Sequence, residues 1–158
     1  MSRIIIADSS PLIALLNIDQ FPLLEYLFEQ IIILQQVADE ITRGESENSI
    51  WFNKLQSGYV RIEPLKPDAR LAILLLQIDP GESEAILLAD QLKLPLLIDD
   101  LAGRKMAQDL GITITGLVGV LLALKRKNVL LNKPMLEIVA DLEQVNFRIS
   151  KPLKQLLL

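Results

Sequence analysis

The chain contains no cysteine and no histidine. The first absence excludes disulfides and thiolate metal sites. The second excludes imidazole acid/base catalysis, Ser-His-Asp triads and the usual zinc ligands. Any metal here must be held by oxygen, which favours Mg²⁺, Mn²⁺ or Ca²⁺. Aromatic residues are scarce, at 4%, although hydrophobic residues make up 51% of the 158 positions. The core must therefore be aliphatic, and disorder is not expected at this composition. Long apolar runs are missing as well. The longest helical one, 112–124, contains two Thr and two Gly and falls short of the roughly 20 residues that a bilayer crossing needs. No membrane partner is expected. The opening MSRIIIADSS has no signal-peptide apolar core, so the expected location is the cytoplasm.

A net charge of −4 does not advertise a nucleic-acid binder, yet the charge is uneven. Residues 125–158 carry seven Lys/Arg against three Asp/Glu, or +4, and residues 1–124 carry nine against seventeen, or −8. Lys125, Arg126 and Lys127 form one basic cluster. They are read either as a solvated helix end or as a phosphate-facing patch beside an acidic site.

The length suits a single domain, 1–158. Apolar runs of strand length occur at Arg3–Ala7, Ile31–Leu34, Tyr59–Glu63, Leu96–Ile98 and Ile112–Thr115. Helical patterns alternate with them, at about Ser10–Asn17, Asp19–Glu29, Gln35–Thr42, 46–57, Asp68–Gln77, Pro80–Leu92, Leu101–Leu110, Leu117–Lys127, Pro134–Val145 and Pro152–Leu158. Ser10 is read as the cap of the first helix, with Pro11 at its first turn. Asp79-Pro80-Gly81-Glu82 opens a helix with an acid cap, a Pro and a Glu suited to a capping box. Continuous apolar strands alternating with helices predict a parallel sheet covered on both faces, a three-layer α/β/α domain. Ligands in such folds gather at the carboxyl ends of the strands.

Carboxylates fall at those ends. Asp8 follows the first strand, and Asp99 and Asp100 follow Leu96–Ile98. One acid at a strand end is ordinarily a helix cap, but Ser10 already takes that duty after Asp8, and Asp99–Asp100 supplies two acids for one cap. Glu40, Glu82 and Glu84 lie in helical stretches, where each has a bland reading as a surface or capping residue. Two charges about 4 Å apart repel by about 4 kcal/mol at an effective dielectric of about 20. A converging cluster therefore calls for protons or a cation. A divalent ion there can hold and polarise a phosphate and acidify a water, which points to metal-assisted phosphodiester hydrolysis.

Five stretches, IIIADSSPLIAL (4–15), VADEITRG (37–44), DPGESEAILLAD (79–90), LLIDDLAGRKMAQDLGITITGLVGVLLALK (96–125) and FRISKPLKQLLL (147–158), together resemble the PIN-domain superfamily, and most closely its small prokaryotic branch akin to VapC-type toxins. The resemblance implies a Rossmann-like sheet in the order 3-2-1-4-5 and a Mg²⁺- or Mn²⁺-dependent ribonuclease. It places the catalytic acids at Asp8, Glu40, Glu84 and Asp100, with Asp8, Glu84, Asp99 and Asp100 around the metal and Glu82 competing with Glu84. A hydroxyl supporting the first Asp corresponds to Ser9 or Ser10. Two departures are visible: the third acid is Glu where many relatives have Asp, and Ile98 precedes Asp99-Asp100 where many have Thr or Ser. Arg104 is assigned either to a phosphate or to an ion pair, and Lys125, Arg126 and Lys127 to the RNA backbone. The expected partners are RNA, a small antitoxin protein and a second copy of the chain. A catalytically inactive binding module on the same fold is the alternative, since fold does not fix function. A phosphate-accepting signalling domain ranks below both, because Ser9-Ser10 follow Asp8 where such domains pair acids.

Overall fold

The computed structural model describes residues 3–158; Met1 and Ser2, the first two residues of the expected 1–158 domain, lie outside this range. The isoleucine run after Arg3 forms β1 (Ile4–Ala7), followed by α1 (Ser9–Asn17), β2 (Gln30–Ile33), α2 (Gln35–Arg43) and α3 (Ile50–Gln56). Next come β3 (Val60–Ile62), α4 (Arg70–Leu74), α5 (Pro80–Leu92), β4 (Leu96–Leu97) and α6 (Leu101–Asp109). β5 (Ile114–Thr115), α7 (Leu117–Arg126), α8 (Met135–Gln144) and α9 (Lys151–Leu157) complete the chain. The five strands form one parallel sheet in the order β3-β2-β1-β4-β5 with helices around it, as the sequence pattern and the resemblance led us to expect.

The strands are apolar on both faces because both faces are covered. Ile5, Ile6, Ala7, Ile31, Ile32, Ile33, Leu96 and Leu97 are all buried. β1 is central, and the chain leaves it toward β2 and β3, then returns to its other side as β4. The topological switch point therefore lies between β1 and β4, whose register pairs Ile6 with Leu96 and Ala7 with Leu97. The Asp8 amide continues the ladder, donating to the Leu97 carbonyl at 3.0 Å. The carboxyl ends of β1 and β4 are thus neighbours, about 5 Å apart.

Several elements are shorter than their sequence patterns. The expected helix at 19–29 is a 3-10 run over Phe21–Tyr26; Asp19, at φ 57°, breaks the chain direction before it, and Pro22 removes a donor in its first turn. The pattern at 68–77 yields only Arg70–Leu74. That at 46–57 begins at Ile50, where the Ser49 hydroxyl accepts from the Trp51 amide at 3.2 Å. The first helix starts at Ser9, so Asp8, not Ser10, occupies its cap position. Gly111 follows α6 at φ 77°, a left-handed turn that favours glycine. Among the described residues no helix is long and apolar enough to cross a membrane.

A cavity of about 930 Å³ opens at the edge where the strands begin, between the ends of α5, α6 and α7. It is lined chiefly by aliphatic side chains, with Lys93, Arg126 and Lys127 among its polar residues. It lies at the edge of the sheet opposite the strand-end carboxylates.

Candidate active site

Asp8 is carried out of β1 into the switch point and is only 6% exposed. Although it stands at the cap position of α1, its side chain makes no capping hydrogen bond. Burial pushes its carboxyl up to about 6; the Ser9 backbone N–H pulls the other way, and Asp79, Glu40 and Asp100 add electrostatic repulsion. Ser9 is buried beside it and Ser10 is exposed.

The N-terminus of α5 brings in two more carboxylates. Asp79 caps it, accepting from the Glu82 amide at 2.8 Å, as the DPGE pattern predicts. The Glu82 side chain does not close the capping box. Its carboxyl is pushed up to about 8 by burial, then by repulsion from Asp100, Asp79 and Asp8, and by a hydrogen bond with Asp100. Gly103 makes the room for this pair: a Cβ there would meet Ile98 Cδ1 at 2.7 Å, Glu82 Oε2 at 3.3 Å and Asp100 Oδ2 at 3.6 Å.

Glu84 is held from α2. The Gln36 side-chain amide of α2 donates to its Oε2 at 2.7 Å. Two positions along a helix are a rotation of about 200°, so Glu82 and Glu84 meet different neighbours. Glu40, exposed on α2, reaches Asp8 through its field.

The adjacent acids Asp99 and Asp100 serve two helices. Asp100 caps α6, its Oδ2 accepting from the Gly103 amide at 2.9 Å. Asp99 accepts from the Leu117 amide at the start of α7, at 3.0 Å to Oδ1 and 3.3 Å to Oδ2. Burial pushes the Asp99 carboxyl up, against the opposing pull of the Leu117 N–H and the Arg104 charge. Arg104 also donates to the Ile98 carbonyl at 3.5 Å, so it faces Asp99 and the end of β4.

The basic cluster is not brought to the acids. Lys125, Arg126 and Lys127 lie at the far end of α7, about 15 Å along the helix from the end that Asp99 caps. Lys125 donates to the Leu156 carbonyl at 2.9 Å and Lys127 to the Tyr26 carbonyl at 3.3 Å, and Arg126 lines the cavity at the opposite edge.

Asp8, Glu82, Asp79, Glu40 and Asp100 thus share one electrostatic neighbourhood drawn from β1, α2, α5 and the β4–α6 turn. Sequence reasoning passed over Asp79 as anything but a cap, and over Gly103 and Gln36 altogether; only Asp79, in its DPGE setting, carried a local signal. Among the described residues, no three acidic side chains are grouped so as to hold a metal ion.

A doubly wound parallel domain with carboxylates at its switch point defines the class. Within it, a family model described as DUF3368: PIN domain matches residues 4–158, nearly the whole chain, and the chain belongs to that PIN-domain family. PIN domains are generally nucleases that act on nucleic acids with divalent metals. No curated protein matches the chain.

Proposed function

We propose that the chain is a divalent-metal-dependent endoribonuclease that hydrolyses RNA phosphodiester bonds, with Asp8, Glu82 and Asp100 as its principal carboxylates. The observation that carries this reading is the buried Asp8 carboxyl, held among Asp79, Glu40 and Asp100 and raised to about 6. Carboxylates so crowded are stable together only when protons or a cation neutralise them.

The donors suit Mg²⁺ or Mn²⁺ in kind, because all are oxygen. Mg²⁺ keeps several waters and takes only one or two protein carboxylates, so it does not need a preformed cage of three. When bound, the ion supplies positive charge, polarises a phosphate and acidifies a water. The chain's own residues do the rest. Asp100, tethered by Gly103 N–H, presents an anchored carboxylate. Glu82 holds a proton near neutral pH and would yield it when a cation enters. Asp8 is supported by the Ser9 N–H. Glu40 faces solvent at the rim, where an RNA strand would approach.

Substitution tests this directly. Asp8→Asn and Asp100→Asn should abolish Mn²⁺-dependent RNA cleavage while far-UV circular dichroism stays native; undiminished cleavage in either variant overturns the mechanism. The alternative, a binding module without turnover, draws on the absence of a three-carboxylate group among the described residues. Calorimetric titration separates the two readings, since a module of that kind need not bind Mn²⁺ through Asp8. We extend the proposal to a toxin held by a small antitoxin protein. Growth arrest on expression, relieved by Asp8→Asn, is the expected result.

A further inference from the structure

Asp99 stands next to the acidic group in sequence and apart from it in its interactions. Asp100 repels both Asp8 and Glu82, whereas Asp99 is governed by its burial, the Leu117 N–H and the Arg104 charge. The partners of Asp99 belong to α6 and α7: the Leu117 amide, on which both its oxygens converge at 3.0 and 3.3 Å, and the Arg104 guanidinium, whose charge favours the Asp99 carboxylate. Gly116, the residue before α7, completes the arrangement. A Cβ at Gly116 would strike Arg104 Nη1 and would lie 2.5 Å from Asp99 Oδ1. Carboxylate and guanidinium therefore occupy the space that any other residue at 116 would fill.

This clamp closes one side of the β4–α6 turn, whose other side is held by α6 through the Gly103 amide to Asp100 Oδ2 and the Arg104 amide to the Asp100 carbonyl, each at 2.9 Å. β4 and β5 contribute only Leu96–Leu97 and Ile114–Thr115 to the sheet. Beyond Leu97 one further rung remains, the Ile98 amide to the Thr115 carbonyl at 2.9 Å. Asp100, exposed at the start of α6, comes two residues after that last rung. Between the rung and Asp100, among the described residues, stand the Arg104 contact to the Ile98 carbonyl and the Asp99 bonds to α7.

We propose that Asp99 is a positioning residue: it ties the end of β4 to the first turn of α7 and thereby sets where Asp100 presents its carboxylate. The inference rests on the reading of Asp100 as an ion-holding residue. It differs from a ligand role in what the amide isostere does. Asparagine keeps an oxygen for the Leu117 N–H but loses the charge an ion would require, whereas alanine loses both.

The experiment is Mn²⁺ titration calorimetry on the full chain, run well below the melting temperature of each variant so that lost stability does not enter. Asp99→Asn should bind Mn²⁺ within a few-fold of the parent. Asp99→Ala should bind about 10- to 100-fold more weakly, the range for a residue that orients a metal ligand. Gly116→Ala, which disturbs the clamp and leaves every acid in place, should fall in the same direction and keeps the test decisive if Asp99→Ala does not fold. Asp99→Asn losing the ion as completely as Asp100→Asn would make Asp99 a ligand and overturn the proposal. So would parental affinity in Asp99→Ala or in Gly116→Ala. Failure of the underlying reading looks different: Asp100→Asn itself would then bind Mn²⁺ like the parent.

Discussion

Asp8 shows how a single side chain can be costly to the fold. Its carboxyl is raised from 3.8 to about 6, so between those values the folded chain binds more protons than the unfolded one. Stability then falls as pH rises through that window, by about 3 kcal/mol for a shift of this size. Glu82, raised from 4.5 to about 8, extends the same trend toward neutral pH. Without divalent ions the protein should melt at a lower temperature at pH 8 than at pH 5. Asp8→Asn should raise the melting temperature at pH 8 by several degrees and change little at pH 5, where Asp8 is already largely protonated. Thermal melts at both pH values check this, and a parent whose stability rises between pH 5 and 8 would contradict it. The positions of Asp8 and Asp100 were legible in the sequence because an acid ending an apolar strand run lies at the sheet's carboxyl edge. The partner of Asp99 was not legible: Leu117 is 18 residues away, and only the β4–β5 pairing brings it near.

At the scale of elements, the start of α5 carries two opposed effects. Asp79 caps the helix through the Glu82 amide, a bond whose loss costs about 1 kcal/mol. The same carboxylate repels Asp8 and Glu82. Asp79→Ala should therefore destabilise by about 1 kcal/mol at pH 5, the worth of the cap, and by less at pH 8, where relief of repulsion offsets the lost cap. Urea denaturation at the two pH values measures both, and an equal or larger loss at pH 8 would show that Asp79 does not act on its neighbours. The helix itself was readable from Asp79, Pro80 and the apolar face of Ala85, Leu88, Ala89 and Leu92, of which the first three are buried and Leu92, at the helix end, is exposed. That Glu82 would meet Asp100 and Glu84 would meet Gln36 was not. That choice depends on the rotation of α5 against β1 and β4, set by packing and invisible in spacing alone. The Gln36–Glu84 bond likewise joins α2 to α5 across 48 positions. The 3-10 turn at Phe21–Tyr26 differed from its helical pattern because a buried Phe21 and a proline decide a short segment more strongly than periodicity does.

For the whole molecule, ion binding and stability are one equilibrium. An ion that binds only the folded chain stabilises it by about 2.7 kcal/mol at 100 times its dissociation constant. For a chain of this length that is a rise of about 5–10 °C in melting temperature. The gain should be larger at pH 8 than at pH 5, because carboxylates must lose protons to bind a cation. Differential scanning fluorimetry with and without Mn²⁺ reads it, and the shift should vanish in the Asp8→Asn, Asp100→Asn double variant. A shift that persists there would place the ion elsewhere. The basic cluster is the contrasting case at this scale. Lys125, Arg126 and Lys127 stand out in the charge distribution, yet α7 carries them to the edge of the sheet opposite the acids.

The amino-acid sequence by itself determined the chemistry available and the layering. Without histidine, cysteine or many aromatics, the chain is limited to oxygen donors and an aliphatic core. Its apolar strand runs alternating with helices admit a parallel sheet whose strand ends carry the acids. Tertiary structure alone decided which acids meet, because helix rotation and strand register are settled by packing across the sheet. Those two quantities turn Glu82 toward Asp100, Glu84 toward Gln36 and Asp99 toward Leu117, and no local pattern encodes them.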